Sequence, residues 1–393
     1  MDYSPKSPAV STSSNLEKVN PFRVMTVMHR AAELEKQGRQ IVHMEVGEPD
    51  FSTAKPIIDA AKIALDKGLT QYTAAPGINE LRDSIVQHYR DRHNVELIRE
   101  RILITPGASG GLALLANLLV STGDGILIND PAYPCVRNFI HLMSAQPQLI
   151  PVEREHNFQP TLSQLDQYVQ PHTTGLWLAS PSNPTGTIIE RNHLKSICGW
   201  ARDKGLHVMV DEIYQGLHYV EDMPSVLELD QNCFVVNSFS KYFGMTGWRL
   251  GWIVVPESIV DKANILAQNL YISASSIAQH AALAAFTEEA KIILRERCAA
   301  FRERRDYLSN QLEALGFKLP DKIQGAFYVY ADISRFSCDS EKFCADLLEK
   351  FGVASTPGSD FGDYQANQFV RFAFTTSMKS LEVGVERLRA AVS

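Results

Sequence analysis

Five polar residues of this 393-residue chain stand directly after short apolar runs that predict buried β-strands. These residues are Ser109, Tyr133, Asn183, Asp211 and Lys241. The carboxyl ends of strands frame the ligand crevice of an open α/β sheet. We therefore expect these side chains, although far apart in sequence, to converge on one site.

Lys241 offers the most reactive group of this set. It follows an apolar strand, is flanked by small and hydroxyl residues from Ser238 onward, and precedes Arg249 by eight positions. A lysine attacks a carbonyl group only as the neutral amine, which partial desolvation and a nearby cation favour. The segment therefore predicts an activated amine. A solvated surface lysine beside a loop arginine is the alternative.

Two charged residues besides Lys241 lie in or directly after apolar strands. Asp211 follows His207 to Val210, and Arg371 lies within Phe369 to Phe374. Burying an unpaired charge is costly, so Asp211 requires a cationic partner and Arg371 requires a carboxylate. Taken alone, Asp211 also suits a helix or turn cap, and Arg371 also suits a structural salt bridge.

Turns rich in glycine and proline carry other polar groups. Thr105 to Gly111 lead from a strand into an apolar helix, and backbone N–H groups at such a helix start bind phosphate. Ser180 to Gly186 surround Asn183, and Asp130 to Pro134 surround Tyr133. By themselves these turns are equally compatible with rigid connections and core packing.

In combination and in order, these motifs resemble the class I and II aminotransferases, fold-type-I enzymes that use pyridoxal 5′-phosphate. The resemblance runs from about Val24 to the C-terminus, and the lysine segment is similar to the lysine signature of the family. It implies that Lys241 binds the cofactor covalently and later transfers a proton. Asp211 then holds the proton of the pyridine nitrogen, and Tyr214 donates to the phenolic oxygen of the cofactor.

The same resemblance implies further contacts. Cofactor contacts are expected from Asn183, Tyr133, Ala108, Ser109, Ser238 and Arg249. Tyr72, in Gln71 to Gly77, resembles the tyrosine that reaches the phosphate of a neighbouring subunit, which implies a homodimer with shared active sites. Arg371 and Asn183 are expected to bind the α-carboxylate of the substrate, beside the backbone of Gly47.

The implied activity is ping-pong transfer of an amino group between an L-α-amino acid and a 2-oxo acid. Ser109 stands where some prokaryotic aspartate-type relatives have a lysine, which argues against aspartate and leaves alanine, aromatic and branched donors open. One alternative is a C–S β-lyase or another enzyme of Cα chemistry on the same fold. Another is a non-catalytic effector-binding module.

The predicted strands and helices that must position these residues alternate along the chain. This alternation predicts an α/β fold, with a mostly parallel sheet sandwiched by helices and a smaller α+β domain built from both chain ends. Helices are predicted from Val24 to Gly38 and from Leu294 to Gly316. The predicted strands are Ile41 to Val46, Ile102 to Thr105, Ile126 to Asn129, Gly175 to Ala179, His207 to Val210, Cys233 to Asn237, Gly251 to Val255, Ala326 to Tyr330 and Phe369 to Phe374. The expected division is a flexible arm at 1–23, the first part of the small domain at 24–50, a large cofactor-binding domain at 51–290 and the rest of the small domain at 291–393.

Bulk properties exclude several other classes. The net charge of −7 offers no basic surface to nucleic acid. No apolar run approaches the roughly 20 residues that span a bilayer. The six cysteines form no CxxC pair or zinc-like grouping, so no metal is expected. The first residues do not resemble a signal peptide, and the expected location is the cytoplasm.

Overall fold

A computed structural model describes residues 12–393. The helices are α1 (Arg23–Lys36), α2 (Lys55–Asp66), α3 (Asn79–His93), α4 (Gly107–Leu119), α5 (Pro134–Leu142), α6 (Leu162–Tyr168), α7 (Arg191–Asp203), α8 (Val260–Tyr271), α9 (Ser276–Leu283), α10 (Glu288–Leu315), α11 (Ser340–Asp346) and α12 (Met378–Val392). The strands are β1 (Val42–His43), β2 (Ile102–Thr105), β3 (Gly125–Asp130), β4 (Gln146–Pro151), β5 (Thr173–Ala179), β6 (His207–Asp211), β7 (Phe234–Ser238), β8 (Gly251–Val254), β9 (Tyr328–Asp332), β10 (Val353–Ala354), β11 (Thr356–Pro357) and β12 (Phe369–Ala373). None of the helices within residues 12–393 is long and apolar enough to cross a membrane.

The central sheet has seven strands in the order β2-β8-β7-β6-β5-β3-β4. Only β8 is antiparallel to its neighbours, so the sheet is mostly parallel, as predicted. Alternate strand residues face two apolar cores: Leu103 and Ile253 lie in the core that includes α4 and α5, whereas Ile104 and Val254 lie in the core that includes α3 and α7. Both faces of the sheet are therefore covered by helices.

Both ends of the chain contribute to a smaller group of elements. β1 pairs with β10 in parallel, with Val42 opposite Val353. Strands β11, β12 and β9 form an antiparallel sheet, in that order. The 28-residue helix α10 places Leu294 in one core and Phe301 in the other, and it ends at Gly316, whose φ of 98° is left-handed. The predicted α/β architecture with a smaller α+β unit is confirmed.

The structure differs from the predicted strands at three places, and the helix expected from Leu294 already begins at Glu288. Strand β4 was not predicted, because two prolines interrupt its pattern; it lies at the edge of the sheet, where prolines are tolerated. The strand expected at Ile41 to Val46 is limited to Val42–His43. The strand expected from Ala326 begins only at Tyr328, because Ala326 has a left-handed φ of 56°.

The predicted arm at 1–23 is described only in part, since residues 1–11 lie outside the described residues. Within the remainder, Ser14–Lys18 form a 3-10 turn. Asn15 Nδ2 donates to Ser144 Oγ at 2.8 Å, just beyond the end of α5. Phe22, the residue before α1, stacks on the ring of Tyr133 with the ring centres 6.1 Å apart. These contacts attach the segment before α1 to the edge of the central sheet.

Candidate active site

A cavity of about 400 Å³ opens at the carboxyl edge of the central sheet. Its lining includes all predicted site residues except Tyr72, namely Lys241, Asp211, Tyr214, Asn183, Tyr133, Ala108, Ser109, Ser238, Arg249, Arg371 and Gly47. Tyr133, Asn183, Asp211 and Lys241 converge because β3, β5, β6 and β7, which they follow or end, are consecutive parallel strands that end at the same edge. The volume is in the range of small-molecule sites.

Lys241 extends into this cavity from the loop after β7. Its Nζ donates to the carbonyl oxygen of Gly47 at 2.7 Å. The pKa of Lys241 is lowered to about 8, chiefly by burial and also by the cations Arg371 and Arg249, while the carboxylates Glu48 and Asp211 oppose the shift. The neutral amine is therefore accessible near physiological pH, as nucleophilic attack requires.

Asp211 is the last residue of β6 and is 5% exposed. One carboxylate oxygen accepts from the backbone N–H of Ile213 at 3.1 Å. Burial raises the pKa of Asp211 to about 7, a shift that this hydrogen bond and the Lys241 cation only partly offset. Its ionised form is thus costly until a cationic ligand group approaches it.

An anion cradle is formed by the start of α4, Ser238 and Arg249. Gly107 has a left-handed φ of 71°, and a Cβ atom there would lie 2.6 Å from Nη2 of Arg249. Arg249 donates to the carbonyl oxygen of Thr246 at 2.9 Å and forms no salt bridge within residues 12–393. With Ala108 and Ser109 in the first turn of α4, free backbone N–H groups and an unpaired guanidinium meet at one end of the cavity, which suits a phosphate.

The hydroxyl groups of Tyr214 and Tyr328 lie 2.9 Å apart. Burial raises the pKa of Tyr214 well above its ordinary value, so its hydroxyl stays protonated and can donate. Tyr328 was not predicted as a site residue, because it lies in an aromatic strand that indicates only core packing. Gly47 faces it: a Cβ atom at this position would overlap the Tyr328 hydroxyl.

Arg371 in β12 is 4% exposed. Its Nη1 donates to Oδ1 of Asn183 at 2.8 Å, and its Nη2 donates to the carbonyl oxygen of Glu45. The guanidinium carbon lies 4.2 Å from the ring centre of Tyr328 and 4.8 Å from that of Phe361. No carboxylate pairs with Arg371 among the described residues, and its Nε has no partner there. Its charge is therefore available to a bound carboxylate.

Asn183 is held by the turn that follows β5. The bonds Ser180-Pro181 and Asn183-Pro184 are both cis, which the sequence left open. The side chain is 6% exposed, lines the cavity and accepts from Arg371. An amide has both donors and an acceptor, so its NH₂ group remains free for a ligand.

Tyr72 does not join the other predicted residues. It lies in the loop between α2 and α3 and is 81% exposed. Nearby, Ser276 donates to the carbonyl oxygen of Gln71, and Gln279 Nε2 donates to Thr73 Oγ1 at 3.0 Å. These contacts attach the Tyr72 loop to α9 and present its ring outward.

The cavity also has an apolar wall that the sequence did not single out as a site. Val24, Met25 and Met28 of α1 contribute to it. The sequence predicted only a helix from Val24 to Gly38 here. In the structure Val27, Ala31 and Leu34 pack in a small core, while Val24 and Met28 turn toward the cavity.

These groups fit pyridoxal 5′-phosphate. The anion cradle suits the phosphate, Tyr133 offers an aromatic face, and the buried carboxylate of Asp211 suits a protonated ring nitrogen. The amine of Lys241 suits the aldehyde. The unpartnered Nε of Arg371 indicates that a further, anionic group belongs at the opposite side of the cavity.

Comparison with known proteins agrees with this geometry. Residues 39–388 match the family model "Aminotransferase class I and II". The chain is 36% identical to a valine–pyruvate aminotransferase of Mycobacterium tuberculosis, covering 94% of this chain and 96% of the relative. It is 35% identical to a (5-formylfuran-3-yl)methyl phosphate transaminase of Methanocaldococcus jannaschii, covering 96% and 98%.

A solved structure of an aminotransferase from Mycobacterium tuberculosis superimposes with a TM-score of 0.94 at 35% identity, covering 97% of this chain and 98% of that one. Members of this family use pyridoxal 5′-phosphate. The chain therefore belongs to the class I and II aminotransferases, and it is a transaminase dependent on pyridoxal 5′-phosphate.

Proposed function

We propose that this cavity is the transamination site and that its residues have the roles expected from the family. The observation that carries the proposal is the position of Lys241, whose partly buried amine lies in one cavity with Asp211, Arg249 and Arg371. When bound, pyridoxal 5′-phosphate supplies an aldehyde and an electron-withdrawing ring. The protein must then hold it, orient the amino acid and move one proton.

Lys241 holds the cofactor through its amine. With its amine free of the cofactor, Nζ of Lys241 would be placed to take up the proton of the substrate Cα as a base and to return it as an acid. A pKa of about 8 suits this exchange near neutral pH, because the group both accepts and releases the proton there.

The remaining polar residues bind and orient. Asp211 retains the proton of the ring nitrogen, Tyr133 stacks on the ring, and Tyr214 and Asn183 contact the phenolic oxygen. Arg249, Ser238 and the N–H groups of Ala108 and Ser109 bind the phosphate. Arg371 binds the substrate carboxylate with both guanidinium arms, next to the backbone of Gly47.

We also propose a homodimer in which Tyr72 completes the phosphate site of the second copy. The exposure of Tyr72 supports this, as do large apolar side chains exposed on α2, on α8 and beyond it, such as Ile63, Ile265 and Ile272. Exposed apolar side chains mark an interaction site where they form a contiguous patch. The division into a small domain, 24–50 with 291–393, and a large domain, 51–290, is supported by the β1–β10 pairing.

A cytoplasmic enzyme is part of the same proposal. All six cysteines are free, including Cys198 and Cys233, whose sulfur atoms lie 3.9 Å apart without a disulfide. Unbonded thiols of this kind are usual in a reducing compartment.

The assignment is tested with Lys241→Ala. We expect the folded variant to lose the visible absorbance of lysine-bound cofactor and about 10³-fold or more in turnover. Lys195→Ala, on the exposed face of α7, is the matched control and should leave both unchanged. Full activity of Lys241→Ala would overturn the assignment.

The lyase alternative is separated by one further measurement. A transaminase mixed with a single amino acid forms one equivalent of 2-oxo acid and the aminated cofactor, without ammonia. Steady release of ammonia and pyruvate, without aminated cofactor, would instead indicate β-elimination. The names of the relatives do not favour that alternative.

A further inference from the structure

The cavity has two chemically different walls. The large central sheet and Arg371 supply the polar wall, whereas Val24, Met25 and Met28 of α1 supply apolar groups. Helix α1 is fixed near Arg371: the backbone N–H of Arg23 donates to Asp360 at 2.6 Å, and the next residue, Phe361, lies against the guanidinium. The apolar groups therefore stand on the side of the cavity where a substrate carboxylate would bind.

All cations that line the cavity already have other roles. Lys241 is required for the chemistry, Arg249 belongs to the anion cradle, and Arg371 is placed for the α-carboxylate. The lining, as far as residues 12–393 describe it, contains no further lysine or arginine. Instead it contains the carboxylate of Glu48, which would repel a second carboxylate on the substrate.

A second copy of the chain would not supply the missing cation through the Tyr72 loop. The segment 68–81, which contains this loop, has no lysine or arginine, and neither has the segment 263–290 packed beside it. In the cavity as residues 12–393 form it, a distal carboxylate would therefore be desolvated without a counter-charge, which is strongly unfavourable.

We propose that the preferred amino donors carry large apolar side chains, branched aliphatic, thioether or aromatic, and that Val24, Met25 and Met28 contact these side chains. The inference rests on the proposed function of the cavity. Methionine is unbranched and polarizable, so two methionines adapt to apolar groups of different shape. Met25 is 57% exposed, which leaves room for a substrate to cover it.

The test compares single-turnover rates of the holoenzyme with leucine, phenylalanine, alanine, aspartate and glutamate. Each rate is measured as the loss of the absorbance of lysine-bound cofactor. We expect kmax/Kd for leucine or phenylalanine to exceed that for aspartate by about tenfold or more. In Met28→Ala the values for leucine and phenylalanine should fall about tenfold, while that for alanine stays within about twofold.

Helix α1 offers a matched pair of controls. Val24→Ala removes two methyl groups from the cavity wall, whereas Val27→Ala removes them from the small core on the other side of the helix. Only the first should alter the ratio of leucine to alanine. Calorimetric binding gives a readout independent of turnover: 4-methylpentanoate, which is leucine without its amine, should bind more tightly than succinate, and Met28→Ala should reduce that preference.

Two results would overturn the proposal. One is a higher kmax/Kd for aspartate or glutamate than for every apolar amino acid. The other is an equal loss for alanine and leucine in Met28→Ala, which would assign Met28 to the fold alone. Failure of the proposed function is distinct, because then no amino acid at all would yield the aminated cofactor.

Discussion

The carbonyl oxygen of Gly47 accepts a hydrogen bond from Nζ of Lys241 at 2.7 Å. Gly47 follows β1, near the N-terminal end of the chain, and Lys241 follows β7 of the central sheet. Their contact joins the smaller group of elements, which contains β1, to the central sheet across the cavity. The close approach of the Gly47 backbone is possible because glycine has no side chain, whereas a Cβ atom there would overlap the hydroxyl of Tyr328.

Gly47→Ala should therefore damage the site. Its methyl group overlaps the Tyr328 hydroxyl, and we expect a loss of about 1–3 kcal/mol in the free energy of unfolding and about 100-fold in kcat/KM. Gly199→Ala on α7, where the nearest atom is 3.9 Å from the new methyl, is the control. Adding Tyr328→Phe to Gly47→Ala should restore part of the activity. Unchanged activity of Gly47→Ala would contradict this contact.

Tyr328→Phe alone removes the hydroxyl partner of Tyr214. We expect kcat to fall about tenfold, because the Tyr214 hydroxyl becomes less well oriented, with a stability loss of about 1 kcal/mol. Tyr330→Phe makes the same change in the same strand but outside the cavity, and it should leave kcat unchanged. Steady-state kinetics and urea denaturation of both variants provide the comparison; equal kcat values would exclude a role for Tyr328.

Asp211→Asn should raise the stability of the cofactor-free protein and lower the activity of the holoenzyme. Folding raises the pKa of Asp211 from 3.8 to about 7, so without cofactor the folded chain binds more protons than the unfolded chain between about pH 4 and pH 7. The contribution of the Asp211 carboxyl group to the free energy of unfolding is therefore lost as the pH rises through that window. Above pH 7 the cofactor-free variant should be more stable than the wild type, by at most about 4 kcal/mol.

At the same time, Asp211→Asn should lower turnover of the holoenzyme by about 100-fold or more, because an amide does not hold a ring proton. Urea denaturation of the cofactor-free proteins at pH 5 and pH 8 measures the stability difference. Asp203→Asn, an exposed carboxylate on α7, serves as control. A variant that gains no stability relative to the wild type between the two pH values would refute the assigned cost of burial.

Arg371→Lys should impair substrate binding more than cofactor binding. Lysine keeps the charge but cannot hold a carboxylate with two parallel hydrogen bonds, and it loses the contacts with Tyr328 and Phe361. We expect kcat/KM to fall by about 10²–10³, chiefly through KM, with unchanged cofactor absorbance. Arg305→Lys, which removes a guanidinium from the ring of Tyr219 outside the cavity, is the control. A KM within twofold of the wild type would assign Arg371 to structure alone.

Shared active sites can be tested by subunit hybrids. Tyr72→Ala should weaken cofactor binding, and Lys241→Ala should abolish turnover. A hybrid dimer of the two variants contains one site with both substitutions and one site with neither. At a cofactor concentration that leaves the Tyr72→Ala sites largely empty, we expect such hybrids, formed by refolding an equal mixture, to be more active than either parent. Absence of any recovery, with hybrids verified by native mass spectrometry, would contradict the shared site.

Much of the architecture was predictable, because β-branched runs that end in polar residues are a local signal. Asp211 and Lys241 stand at strand ends in the structure as in the prediction, and the resemblance placed Arg371 with them. Strand β4 was not predictable, because its prolines are tolerated only by its edge position, and that position depends on the whole sheet.

Tyr328 and Met28 were not predicted as site residues, and the reason is the same for both. Tyr328 lies in a strand of buried aromatics, and Met28 lies on a helix whose apolar pattern is also that of a core-facing helix. In both cases the function follows from tertiary placement, which residue type and spacing do not encode. Tyr72 is the opposite case: a motif indicated its role, while in the single chain its side chain faces outward.

The pairing of β1 with β10 has a consequence for synthesis on the ribosome. Val42 leaves the exit tunnel long before Val353, its partner, has been translated. The central sheet can therefore form while the α1 segment still lacks its docking site on the nascent chain. The wall that carries Met25 and Met28 is then completed only after Val353 has emerged, so a chain that stalls before that point would leave these methionines without their partner elements.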